Sequence, residues 1–197
     1  NLLNMSYLLI GLGNPGEKYK ETRHNAGRAF VGWLKQVQES TKKYLPADAT
    51  HQALQAGKNV QEGEFEAVET ECFMNESGGW VRRKISNFDP PVGGQISNLI
   101  IIHDDLDIPL GKFKIQFGKG PRLHNGVLSV EQALGTKEFW RIRIGIDNRL
   151  KNTDSGEDYV LEKFRPEEKK ILEAVFPEIR DRLLKKVGPF VAKNVVI

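Results

Sequence analysis

Leu99-Ile100-Ile101-Ile102-His103 (LIIIH) is an unbroken apolar run that ends in a charged cluster, Asp104-Asp105-Leu106-Asp107. A short run that is apolar at consecutive positions and rich in β-branched residues suits a strand buried on both faces. Tyr7 to Gly11 (YLLIG) reads the same way, and Lys112–Phe117 and Arg141–Ile146 (RIRIGI) alternate as strands do. Helical periodicity fills the gaps. Asn25–Lys43 carries it through Ala29, Phe30, Trp33 and Leu34, Gly78–Phe88 is a short helix stopped by Asp89-Pro90-Pro91, and Gly126–Leu134 is another. His51–Glu69 alternates loosely and reads as a hairpin or two short strands. From Asp158 to Lys193 the pattern is helical, with breaks near Arg165-Pro166 and at Pro177. Strands and helices alternate first and helices close the chain. This predicts an α/β fold: one domain over residues 1–197, with its core at about 7–195 and a mixed twisted sheet covered by helices on both sides.

At 197 residues the chain can bury a core without covalent staples. Its single cysteine, Cys72, excludes an internal disulfide framework and a multi-cysteine zinc site. A net charge of +3 permits a polyanionic partner without demanding one. No apolar run is long enough to span a bilayer, and Asn1 to Ser6 lacks the charged and apolar regions of a signal peptide. A cytoplasmic location is expected, with an organellar form left open.

In α/β sheets ligands bind beyond the carboxyl ends of strands. The loops after Tyr7–Gly11, Leu99–His103 and Lys112–Phe117 hold the unusual polar residues. Gly11-Leu12-Gly13-Asn14-Pro15-Gly16 matches the glycine spacing of a dinucleotide loop. Pro15 removes an amide that a phosphate cradle needs, and the helix starts late, near Asn25, so a tight turn is the better reading. Arg23-His24-Asn25 precedes that helix. Asn25 there suits a cap, and His24 suits a general base kept neutral by the helix dipole. His103-Asp104-Asp105-Leu106-Asp107 admits a metal site, turn chemistry, or a carboxylate that orients His24. Spacing alone does not say which aspartate would do so. Asn14, Asn75 and Asn125 lie in loops and offer carboxamides that read a peptide backbone or hold a water. No nucleophile elbow is present and Cys72 reads as core, so a base-activated water is favoured over a covalent intermediate. Basic residues gather near these loops: Lys18, Lys20, Arg23, Lys112, Lys114, Lys119, Arg122, Arg141 and Arg143. Such a set could hold phosphates.

Taken together, GLGNPGEKYKETRHNAG, CFMNESGG, HDDLDIPLGK, LHNG and FWRIRIGI resemble the bacterial-type peptidyl-tRNA hydrolase family in order and spacing. The resemblance runs from about Tyr7 to the C-terminal helices. It implies a monomeric α/β hydrolase that frees tRNA from peptidyl-tRNA, with no cofactor, no metal and no membrane. It implies His24 as the catalytic base, Asp104 as the acid that orients it, and Asn14 as the residue that positions substrate and favours acylated esters. Tyr19, Phe73, Asn75 and Asn125 match positions lining the site for the peptide and the tRNA 3′ end, and Lys114 and Arg143 match positions of tRNA contact. The chain departs from the family in the loop Gly118 to His124, where Pro121 and Leu123 replace a glycine-rich stretch, and at Asp147-Asn148, where a glycine-led turn is common.

Overall fold

The computed structural model describes residues 7–44, 65–87, 98–149 and 155–193. Its strands are β1 (Tyr7–Gly11), β2 (Phe65–Glu69), β3 (Leu99–Pro109), β4 (Phe113–Phe117) and β5 (Trp140–Asp147). Its helices are α1 (Ala26–Tyr44), α2 (Ser77–Ser86), α3 (Asn125–Leu134), α4 (Gly156–Leu161), α5 (Pro166–Ala174) and α6 (Phe176–Lys193). The strands form one sheet in the order β2-β1-β3-β5-β4, parallel except for β4, which is antiparallel to β5 at the edge.

The apolar runs are buried on both faces, as their composition requires. On one face Leu9, Ile100, Ile102, Ile142 and Ile144 meet Phe30 and Leu34 of α1, Leu172 of α5 and Phe176 and Ile179 of α6. On the other, Leu8, Ile10, Leu99 and Ile101 meet Val81 of α2 and Val127 and Val130 of α3. The expected mixed sheet with helices on both sides is therefore present.

Several boundaries differ from expectation. β3 does not stop at His103. It runs on to Pro109, because parallel pairing with β5 persists from Ile100↔Trp140 to Asp105↔Gly145 and resumes at Pro109↔Asp147 after an irregularity. The carboxylates of the HDDLD cluster thus stand on a strand. Of the hairpin or two short strands expected over His51–Glu69, β2 covers the last part, and 51–64 lie outside the described residues. Asn1 to Ser6 and Asp89-Pro90-Pro91 also lie outside them. The closing helical segment is divided where the prolines predicted: Pro166 opens α5 at a position whose amide has no helical partner, and Pro177 sits at the start of α6.

β1 connects outward to β2 on one side, and β3 lies on its other side. The carboxyl ends of β1 and β3 therefore flank a point where the chain direction diverges, the usual place for a cleft. Two glycines let α1 close onto this point. A Cβ on Gly27 would lie 2.3 Å from the carbonyl oxygen of Ile102, and one on Gly11 would lie 2.5 Å from that of Gly27. No helix among the described residues is long and apolar enough to cross a membrane.

Candidate active site

The GLGNPG loop leaves β1 and stays on the sheet for one more residue, with Leu12 N–H donating to Ile102 O at 2.9 Å. Asn25 then locks it. Its Oδ1 accepts the amide of Asn14 at 2.8 Å, and its Nδ2 donates to the carbonyl of Asn14 at 2.9 Å. Asn25 is thus occupied as a clamp on the loop and does not act as the expected helix cap. The carboxamide of Asn14 is oriented in turn: its Oδ1 accepts Met74 N–H at 2.8 Å, which leaves Nδ2 as a donor on the other side.

His24 sits in a single 3₁₀ turn, Arg23–Asn25, just before α1. Its Nδ1 lies 2.9 and 3.0 Å from the two carboxylate oxygens of Asp104 on β3. Spacing left three aspartates open, and the fold distributes them. Asp104 faces His24, Asp105 accepts Arg143 Nε at 2.6 Å, and Asp107 accepts the backbone N–H of Arg122 at 3.3 Å. A second histidine completes the group. His124, beside Asn125 at the head of α3, places Nε2 3.0 Å from Asp104 Oδ1. It was not among the expected site residues, although a histidine directly before a helix is the same signal that marked His24.

Burial alone would raise the pKa of Asp104, but the adjacent imidazoles of His24 and His124 and their hydrogen bonds hold it far below the usual carboxylate range. An ionised Asp104 is acceptor-only, so His24 donates from Nδ1 and keeps its lone pair on Nε2. That nitrogen is not among the buried atoms without partners, and His24 lines the cleft. Burial pulls the pKa of His24 down, yet the charge of Asp104 and its hydrogen bond outweigh this and the net shift is upward. The expectation that a helix dipole keeps His24 neutral therefore needs correction: a full charge at hydrogen-bond distance outweighs the partial charge of a helix end.

The cleft is a cavity of about 590 Å³. Asn14, His24, Asp104, Asn75 and Asn125 line it together, with Phe73, Leu106, Leu123 and Leu161 as its apolar parts. Leu123 is 75% exposed, so the departure from a glycine-rich loop puts an apolar side chain at the cleft. Tyr19 does not line this cavity; its ring meets Phe73 edge-on at 6.4 Å.

The basic set divides. Lys18, Lys20, Lys112, Lys114, Lys119 and Arg122 are exposed. Arg23, Arg141 and Arg143 are buried, which corrects their reading as surface cations. Arg23 pairs with Glu162 at 3.1 Å and Glu168 at 3.0 Å, and lies over the ring of Tyr159. Arg141 pairs with Glu131 at 2.9 Å. Arg143 holds Asp105 and Gln116. A buried guanidinium needs a carboxylate, and each of these has one.

Ligand atoms of His24, Asp104 and His124 lie within 4.8 Å of one another, so a metal would find donors here. The hydrogen bonds to the carboxylate engage Nδ1 of His24 and Nε2 of His124.

These features define a class: an α/β protein with a histidine–carboxylate centre at the carboxyl ends of its central strands. Residues 8–190 match the model of the peptidyl-tRNA hydrolase family. The peptidyl-tRNA hydrolases of Mycobacterium marinum and Rhodococcus jostii are each 35% identical to the chain, over 95% of it and 95% of their own length. Crystal structures of the Acinetobacter baumannii peptidyl-tRNA hydrolase, one of the protein and one of a mutant, superpose with TM-scores of 0.65 and 0.70. Their identities are 28% and 27%, covering 99% and 98% of this chain and 92% and 93% of theirs. The chain belongs to the peptidyl-tRNA hydrolase family, whose members release tRNA from peptidyl-tRNA.

Proposed function

We propose that this chain hydrolyses the ester between a peptide, or an N-acylated amino acid, and the 3′ end of tRNA by a water that His24 activates, without a metal. The observation that carries the reading is the Nδ1 contact of His24 with both oxygens of Asp104, which leaves Nε2 as a lone-pair nitrogen in the cleft. His24 Nε2 takes a proton from water, the resulting hydroxide adds to the ester carbonyl, and the tetrahedral intermediate collapses. The proton on Nε2 then goes to the departing ribose oxygen, giving a free carboxylic acid and a free tRNA hydroxyl. Asp104 holds the ring in place and stabilises the imidazolium that forms between the two transfers.

The oriented Nδ2 of Asn14 is a donor for a carbonyl of the acyl group, and Asn75 and Asn125 contribute further carboxamides to the same cavity. Phe73, with Tyr19 against it, offers an apolar surface beside them. Lys112, Lys114, Lys119 and Arg122 are placed in solvent, where they can meet phosphates of the acceptor end. Arg143 serves this surface from beneath by fixing Asp105. The enzyme acts as a cytoplasmic monomer.

The test is release of tRNA from N-acetyl-aminoacyl-tRNA and from aminoacyl-tRNA, both with a strong chelator present. Cleavage of the first and sparing of the second is the expected result. Activity abolished by the chelator and restored by a divalent ion would replace the water-base mechanism with a metal bound at His24, Asp104 and His124.

A further inference from the structure

His124 holds two hydrogen bonds that together fix its protonation. It is the residue before α3, and its Nδ1 accepts Val127 N–H at 3.2 Å, so the lone pair is on Nδ1 and the ring proton is on Nε2. Nε2–H then donates to Asp104 Oδ1 at 3.0 Å, the same oxygen that His24 Nδ1 approaches at 2.9 Å. The Asp104 carboxylate is therefore held between two imidazoles, and the amide of Val127 sets the tautomer of His124 independently of the carboxylate. Behind His124 lies His103, fully buried and edge-on with ring centroids 4.9 Å apart. Its Nδ1 donates to the carbonyl of Asp104 at 2.6 Å, and burial holds it neutral by driving its pKa well below the ordinary value.

We infer that His124 is a positioning residue for the reaction: through its Nε2–H it fixes the plane of the Asp104 carboxylate and shares its negative charge, and so sets the geometry and basicity of His24. Both ring nitrogens of His124 are committed, so neither is free for the reacting atoms. The inference rests on His24 being the base. If the shared hydrogen bond is removed, the full charge of Asp104 acts on His24 alone, the imidazolium is held more tightly, and the base is neutral only at higher pH. A residue that merely caps α3 would change stability and leave that titration where it is. The other charged groups around this cavity are Asp105, Asp107, Arg122 and Glu157, and Arg143 stands behind Asp105.

Two variants separate the two bonds. In His124→Asn the side chain still caps α3, since asparagine is among the best caps, but it is too short to reach Asp104. In His124→Gln the amide reaches Asp104 and capping is weakened. The expected result for His124→Asn is a near-normal melting temperature and little change in KM. Its kcat falls about 10–100-fold, the rate equivalent of one hydrogen bond to a charged group, and the acid limb of kcat/KM moves up by roughly half a pH unit or more. His124→Gln recovers most of kcat and the position of the limb while melting lower. Wild-type kcat and limb in His124→Asn, or losses that follow melting temperature in both variants, overturn the inference. Nitrogen-15 NMR of the wild-type imidazoles decides the matter even if both variants fail to fold: an Nδ1–H tautomer at His124 overturns it. His24→Ala is the control for the underlying reading. Normal turnover there removes the base itself, whereas a dead His24→Ala beside a normal His124→Asn removes only the role given to His124.

Discussion

At the scale of single residues, the site works because Asn14, His24 and Asp104 are each oriented by a named hydrogen-bond partner. His24→Ala is expected to lower kcat by about 10²–10⁴-fold, with tRNA affinity retained in a binding assay, because a positioned base is lost and no phosphate contact is. The pH dependence follows from the upward shift of His24: the acid limb of kcat/KM should fall above the ordinary histidine value of 6.5. The sign for stability is opposite. A raised folded-state pKa means that the imidazolium–Asp104 pair stabilises fully below about 6.5 and is lost as pH rises through the folded value. The gap in melting temperature between wild type and His24→Ala should narrow as pH rises, and a gap that widens would contradict the assigned pairing. Asn25→Ala removes both bonds to the Asn14 backbone and leaves two buried polar groups unpaired, at about 1–3 kcal/mol each. Denaturant unfolding checks the stability, and kcat should fall with it because Asn14 loses its placement. His24 was legible in the sequence because it precedes a helix beside a glycine loop. The clamp by Asn25 and the second imidazole of His124 were not, because both depend on partners 11 and 20 residues away whose approach no local pattern encodes.

At the scale of elements, the turn carrying His24 is held from outside the sheet. Arg23 reaches Glu162, just past α4, and Glu168 on α5, and the isolated bridge between Thr22 and Lys163 runs alongside. Burial would raise the pKa of Glu168, but hydrogen bonds from Arg165 and Asn148 and the charge of Arg23 lower it to about 2. Its contribution to stability is therefore present above about 4.5 and is lost as pH falls toward about 2. Arg23→Ala removes one buried ion pair of Glu168 while Arg165 and Asn148 still hold the carboxylate, and it is expected to destabilise by about 1–3 kcal/mol, read as a shift in denaturant midpoint. The elements themselves were largely readable: runs of β-branched residues and the prolines at 166 and 177 give strands and breaks from local sterics. The length of β3 was not, because Asp104, Asp105 and Asp107 break the apolar run and only pairing with β5 carries the strand past them.

At the scale of the whole molecule, the sheet order places the ends of β1 and β3 together, and neighbouring cations differ in exposure, as Lys114 in solvent and its cross-strand partner Arg143 in the interior show. Lys114→Ala should weaken tRNA binding and reduce the slope of log affinity against log salt by roughly one, as for one lost phosphate contact. Arg143→Ala should mainly lower stability, because it leaves Asp105 buried without its partner. Composition could count these cations but not sort them, since a guanidinium reads alike in solvent and under a strand.

The amino-acid sequence by itself determined the fold class, the positions of most strands and helices, and the motifs that mark this family. These follow from steric preference and hydrophobic periodicity, which act between near neighbours. Only the tertiary structure decided which aspartate meets His24, that His124 shares it, and which arginines are withdrawn from solvent. Those outcomes depend on hydrogen bonds and burial between segments far apart in the chain, and such distances exist only after the sheet has assembled.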